Sequence, residues 1–255
     1  MSELNTLFIG KVILRFQELL STNDYAQEIL AKSRPIEGTV IKTTSQTQGR
    51  GQIGSKWLSE TGKNLTTSII LYPNFISAQQ QFQLNIVVSL AVFSLVKAHV
   101  LLQKVHIKWP NDIYVNNKKI AGILIQNALS GSQIQHTIIG IGINVNQAQF
   151  SPDLPNPTSL KCVQPDINIE LEDVLCRLCE KLEQYYLQLK AGNFEALQAI
   201  YTKNLLGIDK QRKFQQKEGA FFDGTIRGVS KDGQLMIETK KGLEKFNLKE
   251  IKFLF

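Results

Sequence analysis

The sequence has little of what metal centres and disulfide frameworks require. Its 255 residues include 3 cysteines and 3 histidines. Cysteines so few, and odd in number, do not make a disulfide scaffold and suit a reducing cytoplasm. Cys176 and Cys179 form a C-x-x-C, but inside a strongly helical stretch and without a second pair, so helix packing explains them better than zinc. The histidines are scattered, with no metal-ligand spacing. No Ser-His-Asp set and no paired carboxylates stand out. No stretch reads as a membrane span, no signal-peptide pattern opens the chain, and no repeat or low-complexity tract appears. Helix-turn-helix, zinc-finger and RNA-binding signatures are absent as well.

What remains is a chain of 43% hydrophobic and 20% charged residues, the composition of a soluble globular protein. Its net charge of +7 favours an acidic partner or a phosphorylated ligand. Two stretches stand out. Thr47–Trp57 reads TQGRGQIGSKW, with Gly49, Gly51 and Gly54 beside Arg50 and Lys56. Glycines let backbone N–H groups approach an anion closely, and Arg50 adds a planar fork of donors. Taken alone, such a loop is more often a solvated turn, and neither a dinucleotide fingerprint nor a Walker lysine is present. In HIKWPNDIYV an alternating strand runs into Pro110, Asn111 and Asp112. That corner would hold Lys108 where it can meet an anion. On spacing alone, a β-bulge with a surface lysine is the better reading.

Between and around these stretches the chain alternates strands and helices. Lys11 to Phe16 reads as a strand, and Ser21-Thr22-Asn23-Asp24 then supplies the caps that open a helix. Gly38 to Thr44 and Asn64 to Tyr72 read as strands. Ser77 and Gln80 form a capping box at the head of a long apolar helix reaching about Leu102. Strands are expected at Val105–Trp109, Asp112–Val115, Lys118–Asn127 and Gln133–Asn144, with Asn116-Asn117 as a hairpin turn. Gly122 interrupts an apolar strand, as a bulge or a close backbone approach would require. The segment Ser151–Asp166 holds four prolines and reads as irregular. Leu171 to Leu189 has the period of an amphipathic helix packing on the sheet. A shorter helix follows Gly192 to about Tyr201. After Leu206-Gly207 the pattern becomes short alternating runs with turns at Asp232-Gly233 and Lys241-Gly242.

In this order and spacing, GRGQIGSKW, KWPND, KIAGILIQ and GIGINVN resemble the biotin–protein ligases, over nearly the whole chain from about Ser21. The resemblance implies an α+β fold. It comprises a catalytic domain with a mixed sheet, similar to class II aminoacyl-tRNA synthetases, over 1–206, and a small C-terminal SH3-like β-barrel over 207–255. It implies that Ser21, Thr22 and Asn23 contact a ureido ring, that Gln46 and Gly122 lie at the ligand, and that Asn144 lies near the nucleotide. Gly49, Arg50, Gly51, Gln52, Lys56 and Trp57 would form the loop over the ligand. The implied reaction activates biotin with ATP as biotinyl-5′-AMP and then passes biotin to a lysine of a biotin carboxyl carrier protein. Mg²⁺ is expected on the ATP phosphates, with no assigned protein ligand. Arg50 and Lys108 are the candidates to screen the two anions of the first step. Where the bacterial pattern is Gly-Arg-Gly-Arg, position 52 here is Gln.

The resemblance also leaves a homodimer open, and no membrane association is expected. Only about twenty residues precede the Ser-Thr-Asn motif, too few for the DNA-binding domain that some relatives carry, so no DNA binding is expected. Two alternatives remain at this stage. One is a lipoate- or octanoate-transferring enzyme of the same fold; the other is a non-catalytic basic binding module.

Overall fold

The computed structural model describes residues 4–52, 54–100 and 102–254. Ile53 of the glycine-rich loop, Leu101 near the expected end of the long helix, and positions 1–3 and 255 of the expected domains lie outside the described residues. The first strand and helix form where the sequence marks them. β1 (Ile13–Leu19) leads to Ser21, whose hydroxyl accepts from the Asp24 N–H and caps α1 (Thr22–Lys32). β2 (Val40–Gln46) then returns parallel to β1, so α1 is the crossover of a strand–helix–strand unit. Gln46 is the last residue of this strand rather than a loop residue.

β3 (Leu65–Leu71) is buried along its whole length, because it lies in mid-sheet with helices over both faces. After it, the Ser77–Gln80 capping box closes on a separate 3-10 turn, Ala78–Gln80, and α2 (Phe82–His99) starts only beyond that. The segment Ala78–His99 is long and apolar enough to cross a membrane by length and composition, contrary to the expectation that no stretch is. Here it is mostly buried inside the fold, the ordinary place for a helix that is apolar all round.

β4 (Val105–Lys108), β5 (Asp112–Val115), β6 (Lys118–Ser130) and β7 (Gln133–Ile143) form an antiparallel meander. Asn116 and Asn117 turn between β5 and β6 with φ of 49° and 64°, the left-handed pair that a two-residue hairpin needs. The seven-stranded sheet has the order β1-β2-β3-β7-β6-β5-β4. Crossing back to pair β7 with β3 places the ends of β3, β6 and β7 side by side.

The proline-rich connection contains one short helix, α3 (Leu160–Val163), capped by Ser159. α4 (Leu171–Lys190) and α5 (Phe194–Lys203) follow. α4 packs chiefly along α2 rather than on the sheet, since α2 already covers that face. The main core therefore lies between one sheet face and α2, α4 and α5, while α1 closes a small cluster of Ala26, Ile41, Ile70 and Ile138 on the other.

The chain leaves the first sheet at Leu206, whose N–H bonds to Ile107 O at 2.8 Å, and joins the second at Asp209, whose N–H bonds to Ile226 O at 3.0 Å. That second sheet holds β8 (Gln211–Gln216), β9 (Phe221–Val229), β10 (Leu235–Thr239), β11 (Gly242–Phe246) and β12 (Ile251–Phe253). It is antiparallel, in the order β11-β10-β9-β8-β12, around packed rings of Phe214, Phe222, Phe246 and Phe253.

Candidate active site

A cavity of about 310 Å³ opens where β3, β6 and β7 lie side by side, within the size range of small-ligand pockets. Its floor is made by missing side chains. The register sets Gly122 opposite Gly142, and Gly140 opposite Leu124 and Ser68. A Cβ at Gly142 would collide with the Trp57 ring, and one at Gly140 with the Asn23 side chain. The strand pattern GIGI thus leaves room for two side chains that arrive from elsewhere in the sequence. Among the described residues, Trp57 Nε1 is buried here without a hydrogen-bond partner.

One end of the cavity is a buried polar network. Thr22 donates to Gln46 Oε1 through its N–H at 2.8 Å and its hydroxyl at 3.3 Å. Asn23 Nδ2 donates to Gln126 Oε1 at 2.8 Å. Ser68 Oγ lies 2.7 Å from Thr22 Oγ1 and 2.6 Å from Asn23 Oδ1, two acceptors competing for its one hydrogen. Ser21, Thr22, Asn23 and Ser68 are all buried. Such a cluster offers donors and acceptors but no net charge.

The opposite end is cationic. Lys108, at the end of β4, is half-buried, with Nζ 5.3 Å from the Tyr114 ring centre and 5.5 Å from that of Phe253. Burial pulls its pKa below the usual lysine value, Asp112 opposes that shift, and Lys119 adds to it. Lys119 Nζ pairs with Asp112 at 2.7 Å. The turn holding Lys108 is clamped from three sides. Pro110 O accepts from Asn85 Nδ2 at 2.7 Å and Tyr201 OH at 2.6 Å, and Asn111 Nδ2 donates to Ile123 O at 2.5 Å. Trp109 Nε1 donates to Gly233 O at 2.9 Å, which ties the same turn to the second sheet.

The glycine-rich loop arches over one side. Gly51 N–H donates to Ser55 O, and Trp57 N–H to Gly49 O, so the loop is bonded to itself. Gly54 takes φ of +79°, which an L side chain rarely adopts. Arg50 Nη2 lies 3.1 Å from Asp24 Oδ2. Across the cavity, Leu248, Lys249, Lys252 and Phe253 complete the wall from the second sheet.

The structure therefore gathers Ser21, Thr22, Asn23, Gln46, Arg50, Gly51, Gln52, Lys56, Trp57, Lys108 and Gly122 around one cavity. Gly49 faces a neighbouring groove on the outer side of the loop, where a Cβ would strike Trp57 O. Asn144 lies off the lining, buried, with Nδ2 donating to Thr158 O at 2.9 Å, so it fastens a connection instead of facing the cavity. Sequence reasoning passed over Ser68, Gln126, Asp112, Lys119, Lys249 and Lys252. Lys119 is the first letter of the KIAGILIQ motif, and Ser68 belongs to a run of three polar residues inside a fully buried strand; both were signals.

The sequence matches the biotin/lipoate A/B protein ligase family over residues 15–144. The chain belongs to that family. Among its biotin/lipoate ligase relatives, the Bifunctional ligase/repressor BirA of Bacillus spizizenii is 31% identical over 247 residues, 95% of this chain and 74% of that protein. The Biotin--[acetyl-CoA-carboxylase] ligase of Paracoccus denitrificans is 26% identical, across 92% of this chain and 99% of that one. The solved biotin protein ligase from Aquifex aeolicus in complex with biotin and ATP superposes with a TM-score of 0.79 at 26% identity, covering 96% of this chain and 99% of that one.

Proposed function

We propose that this family member is an ATP-dependent biotin–protein ligase of the cytoplasm, with a catalytic unit over 1–206 and an accessory sheet over 207–255. The observation that carries this reading is the gradient of polarity within one cavity. An uncharged cluster of donors and acceptors around Thr22 and Asn23 suits a neutral urea, the glycine floor under Trp57 suits an apolar ring and chain, and Lys108 and Lys119 suit a carboxylate beside a phosphate. Its likeness to a relative solved with both biotin and ATP supports the same pair of substrates.

In the first step a biotin carboxylate oxygen attacks the α-phosphorus of ATP. The bond from that phosphorus to the bridging β-oxygen breaks and pyrophosphate leaves, giving biotinyl-5′-AMP. In the second, an acceptor lysine amine attacks the acyl carbon, the carbon–oxygen bond to AMP breaks, and the amine loses a proton. Bringing two anions together is the electrostatic problem of step one. Arg50, Lys108 and Lys119 are placed to offset it, with charges held before the substrates arrive. Lys249 and Lys252 face them from the second sheet and are assigned to the nucleotide phosphates. The buried indole N–H of Trp57 is assigned a ligand acceptor, since buried donors are rarely left unpaired. Positioning and fixed charge carry this reaction, with no protein nucleophile.

Mg²⁺ is expected as the counter-ion of ATP. Among the described residues no three metal-ligating side chains cluster, and Asp112, the carboxylate on the cavity wall, is paired with Lys119. The ion is assigned to the phosphates, where Mg²⁺ keeps part of its water shell. The acceptor is a biotin carboxyl carrier domain, a reading that the acetyl-CoA-carboxylase in the Paracoccus relative's name supports. ATP–pyrophosphate exchange tests the reading: exchange should depend on biotin and should not respond to lipoate or octanoate. Exchange driven by lipoate and indifferent to biotin would overturn it.

A further inference from the structure

We infer that Asp24 is a positioning residue of this reaction, its carboxylate aiming the Arg50 guanidinium into the cavity mouth. The inference rests on the ligase reading above. Asp24 follows directly on Thr22 and Asn23, the buried residues that open α1 at the cavity. Its own N–H bonds to the Ser21 hydroxyl at 3.3 Å, so the helix cap fixes the backbone beneath the carboxylate. Arg50 belongs to a loop whose foot is tied by Thr47 N–H to Leu19 O and Gln48 N–H to Leu20 O. Beyond Gln48 its backbone bonds, Gly51 to Ser55 and Trp57 to Gly49, are internal and leave the Arg50 side chain to be aimed by its own contacts. The side chain of Arg50 is 56% exposed and that of Asp24 26%, and the two meet at 3.1 Å.

An ion pair between such exposed groups contributes little to folding. Its place is what matters. A carboxylate beside a cavity that must take two anions repels them, unless it is spent on orienting a cation. Asp24 meets the guanidinium at Nη2, and a guanidinium presents its five donors in a rigid plane. Holding one end of that plane sets the direction of the rest, on a residue that lines the cavity. Misplacing such a group by about 1 Å can cost on the order of a hundredfold in rate. Asp24 is not needed to cap α1, since Ser21 does that.

The test compares Asp24→Asn and Asp24→Glu, each alone and in an Arg50→Ala background. Release of preformed biotinyl-adenylate is followed by stopped flow, and the KM for biotin and kcat are measured separately. The Asn variant should release the intermediate about fivefold faster and raise KM more than it lowers kcat, as loss of a charge-assisted contact would. The Glu variant should recover most of both. In the Arg50→Ala background the Asn change should add nothing, because residues acting through one another are not additive. Unchanged release, or effects that simply add, would overturn the inference. A second arm needs no turnover: trypsin should cut after Lys56 faster in ligand-free Asp24→Asn than in the wild-type protein. If the wild-type protein forms no biotinyl-adenylate, the ligase reading fails, and the trypsin arm alone decides the ion pair. Unchanged cleavage would then overturn it, and faster cleavage would uphold the hold of Asp24 on the loop.

Discussion

The two walls of the cavity are built differently. The wall of β3, β6 and β7 owes its shape to register: paired glycines leave a floor, and Asn23 and Trp57 lie on it. Its chemistry is spoken for by buried hydrogen bonds, such as Thr22 to Gln46 and Asn23 to Gln126, which hold each group before a ligand arrives. The wall around β12 instead brings exposed cations, Lys249 and Lys252, on a small sheet tied to the first by Trp109 and Gly233. Preorganised groups of the first kind suit discrimination between acids. Solvated lysines of the second kind suit the attraction of phosphates and lose strength in salt. Lys108 stands where the walls meet, at the end of β4 with the Phe253 ring against it.

Removing 207–255 should break the contrast most severely. It deletes Lys249, Lys252, Phe253 and the Gly233 carbonyl together, and the remaining fragment should be soluble but lose most of its adenylation, on the order of a hundredfold or more. Full pyrophosphate release from that fragment would make the second wall dispensable. Lys108→Ala should lower adenylation by roughly two orders of magnitude, the scale of one preorganised charge, with little change in far-UV circular dichroism. Lys252→Ala should cost less, about tenfold in the KM for ATP, and that loss should shrink as salt is raised. A salt-independent loss would place Lys252 in a buried role.

Smaller effects sharpen the comparison at single groups. Arginine at position 52 would add a second guanidinium beside that of Arg50, so Gln52→Arg should slow release of biotinyl-adenylate several-fold, about 1 kcal/mol. An equal or faster off-rate would leave Gln52 a plain loop residue. Burial lowers the Lys108 pKa, so its charge is lost at a lower pH than that of an ordinary lysine. Asp112 raises that pKa. Asp112→Asn should therefore move the alkaline limb of the adenylation profile to lower pH, and a limb that stayed put would mean that Lys108 does not set it.

Most of the first wall could be read in the sequence because its signals are local. Ser21 caps a helix, Asn116-Asn117 turns a hairpin, and Gly122 marks a close approach, each within a few residues. What escaped depends on register or on long-range packing. Lys119 reaches the cavity only because Asp112 pairs with Gly122 across β5 and β6. Lys249 and Lys252 arrive from a sheet that begins some forty residues earlier, and nothing in their local sequence says which face they turn to a distant cavity. Asn144 shows the converse. It ends the GIGIN run beside two floor glycines, yet it lies off the lining, its Nδ2 bonded to Thr158 O. The apolar segment Ala78–His99 carries a composition that a membrane span and a core helix share; only its burial beneath the sheet distinguishes them.

The most direct measurement is a single turnover with ATP labelled at the α-phosphate, first with biotin alone and then with a biotin carboxyl carrier domain added. A ligase working through Arg50, Lys108 and Lys119 should carry the label into biotinyl-adenylate, hold it, and release it as AMP only when the acceptor lysine becomes biotinylated. Label that left as ADP, or an acceptor modified without passage through the adenylate, would contradict that mechanism.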